Sequence, residues 1–237
     1  RDNPEIREAI RRGIKPLSYP EVVGCLTPVY RTIAVAGSHG KSTTTALASL
    51  VLIRAGLDPT VIIGTNLNEF GGKNFRFGHS KWLVLEADEW NASFLNYRPE
   101  ISIVTNIDKE HLDFYKDLRS VKKAFLRFLS NTKPGGALIL NRDDENLHSL
   151  HSPISQIANR KSLSVRWYSI RHSQIGIKFA DWHHILKIPG EHNISNAMAV
   201  LALAKVLKIK EALTLEALGY YTGAWRRMEY KGSLVLG

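Results

Sequence analysis

The stretch that most restricts the fold is Thr32–Ala36 followed by Gly37-Ser38-His39-Gly40-Lys41-Ser42. Thr32–Ala36 is a short β-type run, Gly37–Gly40 a turn, and Ser42–Ala55 reads as a helix closed by Gly56. A strand that turns through glycines into a helix aims main-chain N–H groups and the positive end of the helix dipole at one point, which suits an anion. Glycine also lets phosphate oxygens approach the main chain without a Cβ in the way. Lys41 is placed to reach a β- or γ-phosphate, and the Ser42 hydroxyl suits Mg2+. The general phosphate-loop pattern carries a glycine where Val35 stands, so a shorter loop is implied.

The rest of the chain continues the alternation. Val61–Gly64 and Trp82–Leu85 read as strands, the second running into Glu86-Ala87-Asp88-Glu89, and Ile101–Thr105 as a third ending in Asn106-Ile107-Asp108. Leu118, Val121, Phe125, Phe128 and Leu129 mark one face of a helix, which Pro134-Gly135-Gly136 breaks before a strand at Ala137–Leu140. Asn193–Leu207 and residues 211–219 predict two more helices. The expectation is an α/β fold of phosphate-loop type, a mostly parallel sheet with helices on both faces. Ser164–Ile170, Ile175–Phe179 and Ile185–Ile188 read as short strands of a small antiparallel extension. Residues 1–28 read as a helix ended by Gly13 and a tail that Pro16, Pro20 and Pro28 keep extended or turning. That piece is too small to hold a core and is read as the end of a preceding domain. In open parallel sheets ligands sit at the carboxyl ends of the strands, and Gly37–Lys41, Glu86–Glu89 and Asn106–His111 all fall there.

Composition serves mainly to exclude. With 44% hydrophobic and 23% charged residues the chain is neither disordered nor fibrous. The single Cys25 forms no internal disulfide, so a reducing, cytoplasmic setting is expected. No apolar run approaches the ~20 residues that span a bilayer. The net charge of +10 raises nucleic acid as a partner. The surplus is diffuse, however, with modest clusters at residues 116–133 and 157–171, and a nucleic-acid module explains none of the motifs. Neither nucleic acid nor membrane is expected as a partner, and the sequence carries no signal for an oligomeric state. The absence of a starting Met suggests a piece of a longer protein.

Four segments, in order, resemble the Mur ligases, ATP-dependent amide-forming ligases of peptidoglycan synthesis. Gly37–Ser42 is similar to their Gly-Thr-(His/Asn)-Gly-Lys-(Thr/Ser) loop, with Ser38 for Thr. Residues 86–95 resemble the Glu-Ala-Asp-Glu-Ser-Asp-Ala-Ser-Phe-Leu pattern of the branch that adds L-alanine, except that Trp90 and Asn91 replace Ser-Asp. Asn106–Asp113 is similar to Asn-Ile-x-x-x-His-x-Asp, and Pro189–Ala197 to Pro-Gly-x-His-Asn-x-x-Asn-Ala. Two weaker likenesses are Asn141-Arg142-Asp143-Asp144 and Arg226-Arg227-Met228-Glu229.

The resemblance implies ATP and Mg2+ as cofactors, with UDP-N-acetylmuramate and L-alanine as the partners joined through an acyl phosphate. It implies Lys41, Glu86 and His111 as the catalytic set. Ser42 and Glu86 would hold one metal and His111 a second. Gly37, Ser38, His39, Gly40, Lys41, Ser42 and Thr43 would cradle the phosphates, His192, Asn193 and Asn196 would flank the adenine, and Arg226 and Arg227 would touch the nucleotide. Where several relatives carry a carbamylated lysine on the helix after the third strand, Phe125 stands. By the same token residues 1–28 would end a UDP-sugar-binding domain and residues 29–237 would form the central ATP-binding domain, with a C-terminal ligase domain beyond. A muropeptide or folyl-γ-glutamate ligase, or a generic phosphate-loop phosphotransferase, stays open as an alternative.

Overall fold

The structure, a computed structural model, describes residues 3–111, 113–172 and 181–224. The strands are β1 (Arg31–Ala36), β2 (Thr60–Leu67), β3 (Lys73–Arg76), β4 (Trp82–Glu86), β5 (Ile101–Val104), β6 (Ala137–Asn141) and β7 (Ser164–Tyr168). The helices are α1 (Pro4–Arg11), α2 (Tyr19–Leu26), α3 (Lys41–Arg54), α4 (Leu118–Ser130), α5 (Glu145–His148), α6 (His151–Lys161), α7 (Trp182–Ile185), α8 (Glu191–Val206) and α9 (Glu211–Leu218). Among the described residues the strands form one sheet in the order β3-β2-β4-β1-β5-β6-β7, and only β3 runs antiparallel to its neighbour.

The alternation of side chains along β1 divides the interior in two. Ile33 and Val35 point to the layer of α3, α8 and α9, whereas Ala34 and Ala36 point to the layer of α4 and α6. In the first layer, Leu47, Val51 and Leu52 of α3 meet Ala197, Val200 and Leu201 of α8 in one fully buried cluster. In the second, the stripe Val121, Phe125, Phe128 and Leu129 lies against the sheet. Phe94 stacks on Phe128 at 4.9 Å and meets Phe125 edge-on at 5.2 Å. Asp117 starts this helix by accepting the Ser120 N–H at 2.7 Å. Asp117→Ala is expected to lower stability by about 1 kcal/mol, read as a shifted urea midpoint with unchanged m-value.

Three features differ from the sequence expectation. The segment after Gly13 is not an extended tail: Pro20 sits in the first turn of α2, where a missing N–H costs nothing, and Glu21 accepts the Ser18 N–H at 2.7 Å. This helix packs on the main domain through buried Val23 and Gly24, and a Cβ on Gly24 would stand 2.8 Å from the Asn96 carbonyl oxygen. The described parts of the region 164–188 do not form an antiparallel extension. Its strand β7 follows the crossover through α5 and α6, and such a connection returns the chain parallel to β6. Trp182–Ile185 is helical, and Ile175–Phe179 lies outside the described residues. The antiparallel strand is β3 at the other edge, returned onto β2 by a tight turn in which Gly71 and Gly72 take φ of 66° and 74°. Exposed Lys73, Asn74 and Phe75 carry no alternating apolar pattern that would have revealed it.

Candidate active site

β1 lies between β4 and β5, so the turns that follow these three strands converge at one crevice. At its centre is the Gly37–Ser42 turn. Gly37 has φ 140°, and a Cβ there would lie 2.0 Å from Thr105 Oγ1 and 3.1 Å from the Asn106 nitrogen. The loop is therefore pressed onto the end of β5. Asn106 binds it from several sides: its Oδ1 accepts the His39 N–H at 2.8 Å, its Nδ2 donates to the His39 carbonyl at 2.9 Å, and its own carbonyl accepts the Ser38 N–H at 3.2 Å. Thr105 Oγ1 donates to the same His39 carbonyl at 2.6 Å, and Ser38 Oγ accepts the Asp108 N–H at 2.8 Å. The Ser38 and His39 amides thus shape the loop. The first bond of α3 runs from Thr44 N–H to Gly40 O at 2.9 Å, which leaves the Lys41, Ser42 and Thr43 N–H groups at the helix mouth, a geometry suited to an anion. Gly37→Ala is expected to weaken ATP binding at least about tenfold, because the strained turn can admit a methyl group only by leaving β5; isothermal titration reads this directly.

Lys41 folds over that mouth. Its Nζ donates to the Gly37 carbonyl at 2.7 Å and to Glu89 at 2.9 and 3.1 Å, with Asp88 Oδ1 at 4.0 Å. The Glu89 side chain is 1% exposed. Burial pushes its carboxyl above the usual range, against the pull of the Lys41 ammonium. Tyr115 fixes the turn by donating its hydroxyl to the Glu89 carbonyl at 2.7 Å, and burial raises that phenol to about 12. His111 completes the corner with Nε2 at 3.7 Å from Glu89 Oε1 and its own backbone at φ 54°.

Glu86, at the tip of β4, receives the Ser42 hydroxyl on Oε1 at 2.8 Å and the Gly64 N–H on Oε2 at 2.7 Å. Ser42 and Glu86, predicted as partners, are thus in direct contact. Asp88, Glu89 and His111 each offer a ligand atom, all within 4.8 Å of one another. Two clusters rich in carboxylate and hydroxyl oxygen suit a hard divalent ion such as Mg2+. Sequence reasoning quoted Glu89 only as one member of an acidic run. Its burial against Lys41 depends on the turn after β4, which no spacing rule reports.

The fourth segment reaches the same crevice from α8. Gly190, at φ 103°, precedes the helix, and Asn193 Nδ2 donates back to the Pro189 carbonyl at 2.6 Å. Asn193 and Asn196 are buried, and a Cβ on Gly40 would stand 2.4 Å from Asn196 Oδ1. Gly40, Thr43, Ile188, His192, Asn193, Asn196 and Tyr221 line a cleft of about 210 Å3 beside the phosphate loop. The structure therefore brings the loop and the His192–Asn196 segment together, and Tyr221, unmarked by any motif, joins them. The His39 ring turns outward, 3.6 Å from Asp108 and 3.5 Å from Glu110. Phe125 is fully buried in the second layer, and neighbouring Lys122 donates to Ser149 Oγ at 3.0 Å. Arg226 and Arg227 lie outside the described residues.

The sheet order, the glycine turn at its centre and the acidic tips beside it define a phosphate-loop α/β domain. The model of the Mur ligase middle domain matches residues 35–204, and the chain belongs to that family. It is 39% identical, over 97% of its length, to the UDP-N-acetylmuramate–L-alanine ligase of Solibacter usitatus, and 38% identical, over 98%, to that of Aquifex aeolicus. The chain spans about half the length of the curated relatives it matches, 51% and 53% of these two. Among solved structures it is similar to the UDP-N-acetylmuramate-alanine ligase MurC of Thermotoga maritima. That match has a TM-score of 0.75 and 26% identity, and covers 98% of this chain and 54% of that one. Among the described residues no helix is long and apolar enough to cross a membrane.

Proposed function

We propose that this chain is the ATP- and magnesium-binding portion of a ligase that joins L-alanine to the carboxylate of UDP-N-acetylmuramate. The observation that carries the reading is the meeting of Lys41, Ser42, Glu86, Glu89 and His111 at one crevice, in a chain whose relatives along nearly its full length bear that ligase's name. On this reading residues 1–28 end the domain that holds the sugar nucleotide, residues 29–237 bind ATP, and a ligase domain follows. On the same reading the setting is cytoplasmic.

A carboxylate is a poor electrophile, so it must first be phosphorylated. One of its oxygens attacks the γ-phosphorus of ATP and ADP leaves. The amine of L-alanine then attacks the acyl carbon of the acyl phosphate, and inorganic phosphate departs with that oxygen. The chain's own part is charge neutralisation and alignment. The Lys41, Ser42 and Thr43 amides and the Gly37 and Gly40 turn hold the phosphates. The Lys41 ammonium, already poised over the loop, turns from Glu89 to the γ-phosphate. Ser42 and Glu86 would hold one Mg2+, and His111 with Glu89 and Asp88 the other. Bound Mg2+ supplies further positive charge at the transferring phosphoryl group. His192, Asn193 and Asn196 wall the adenine cleft, and Arg226 and Arg227 are assigned as nucleotide contacts. The test is a panel of single amino acids with the full-length protein, ATP and UDP-N-acetylmuramate. Phosphate release is expected with L-alanine alone, and equal release with D-glutamate or a tripeptide would overturn the assignment.

A further inference from the structure

A second, larger cavity, of about 480 Å3, has Glu86 in its walls together with Tyr19, Asn74, Asp88, Trp90 and Tyr97. Its lining combines two chemistries. Glu86 and Asp88 are carboxylates that neighbour Ser42 and Lys41. Tyr19 of α2, Trp90 and Tyr97 are aromatic. Trp90 is 50% exposed, unusual for the largest apolar side chain.

The backbone holds it there at a cost. Asn91 and Ala92, which follow Trp90, both adopt left-handed conformations, at φ 50° and 55°. Two successive non-glycine residues in that region are strained, and such strain collects where a side chain must be aimed. The turn is fastened on both sides. The Trp90 N–H donates to Asp88 Oδ1 at 3.1 Å, the Ala92 N–H to the Glu89 carbonyl at 3.0 Å, and the Phe94 N–H to the Asp88 carbonyl at 3.0 Å. Phe94 itself is locked in the core between Phe125 and Phe128. The Trp90 backbone is thus fixed while its side chain stays exposed.

We infer that Trp90 is a specificity residue for the acceptor, its indole forming the wall on which the pyranose ring of the sugar nucleotide lies while the acceptor carboxylate reaches toward Glu86, which lines the same cavity. The inference rests on the ligase reading above and adds to it the residue that grips the sugar. A pyranose presents an apolar C–H face that matches an aromatic surface, and the carboxylate branches from the same ring, so one molecule can meet both the aromatic and the acidic lining. The cavity is far larger than L-alanine requires, which favours the sugar as its occupant.

The experiment is calorimetric titration of the full-length enzyme and of its Trp90→Ser and Trp90→Phe variants, with UDP-N-acetylmuramate and separately with ATP–magnesium. The expected result is a Kd for the sugar nucleotide raised about tenfold in Trp90→Ser and largely retained in Trp90→Phe, with ATP affinity unchanged in both. Tryptophan emission should respond to the sugar nucleotide in the wild type and lose that response in Trp90→Phe, a readout that holds even where the Ser variant folds poorly. Unchanged sugar-nucleotide affinity in Trp90→Ser, with a wild type that binds it, overturns the role of Trp90 alone. A wild type that does not bind UDP-N-acetylmuramate overturns the ligase reading, and this inference with it.

Discussion

Replacing Lys41 with Ala should reduce kcat of the full-length enzyme by roughly a thousandfold, as expected when the main positive charge on a transferring phosphoryl group is deleted. Its Nζ lies 2.7 Å from the Gly37 carbonyl and 2.9 Å from Glu89, beside the helix mouth assigned to the phosphates. Among the described residues of this crevice no other lysine or arginine makes such a contact with the loop or the acidic tips. The fold should survive the change. Glu89 would lose its partner while buried, but its carboxyl is already displaced toward the neutral form by desolvation and can take up a proton. The decisive comparison is therefore phosphate release at saturating substrates alongside a thermal melt. A folded Lys41→Ala enzyme with more than about a tenth of wild-type kcat would be incompatible with Lys41 acting on the reacting phosphate.

The second large effect is expected at Glu86. The Gln variant keeps an oxygen that can accept from Ser42 or from the Gly64 N–H, so the β4 tip stays in place while the charge is lost. Activity should fall by about a hundredfold, and the magnesium concentration needed for half-maximal rate should rise. Glu86→Ala removes both acceptors; the exposed Gly64 N–H can turn to water, but leaving the buried Ser42 hydroxyl unpaired costs about 1–3 kcal/mol more. A pair of magnesium titrations, read with denaturant midpoints, separates metal binding from stability. Unchanged magnesium dependence in Glu86→Gln would remove this residue from the metal site.

Much of this arrangement was legible in the residue order because it rests on local patterns. The run Thr32–Ala36, its glycine turn and the helix to Arg54 are one strand-turn-helix unit, and the polar tips at Glu86 and Asn106 follow apolar runs that could only be buried strands. Their convergence followed from the rule for parallel sheets. What escaped depended on contacts between distant segments. Pro20 reads as a helix breaker until Ser18 and Glu21 show it to be in the first turn. β3 is exposed and polar, so only its pairing with β2 identifies it. The burial of Glu89, the grip of Asn106 on His39 and the place of Tyr221 in the cleft beside the phosphate loop arise from tertiary packing, to which neither periodicity nor spacing is sensitive.

The central claim is that the crevice between β1, β4 and β5 activates a carboxylate as an acyl phosphate. The direct measurement is isotope transfer in the full-length enzyme, using UDP-N-acetylmuramate whose lactyl carboxylate carries oxygen-18, with ATP and L-alanine. Mass analysis of the products should show the amide of L-alanine and inorganic phosphate bearing a single labelled oxygen from the carboxylate. Amide formation with wholly unlabelled phosphate would contradict the account.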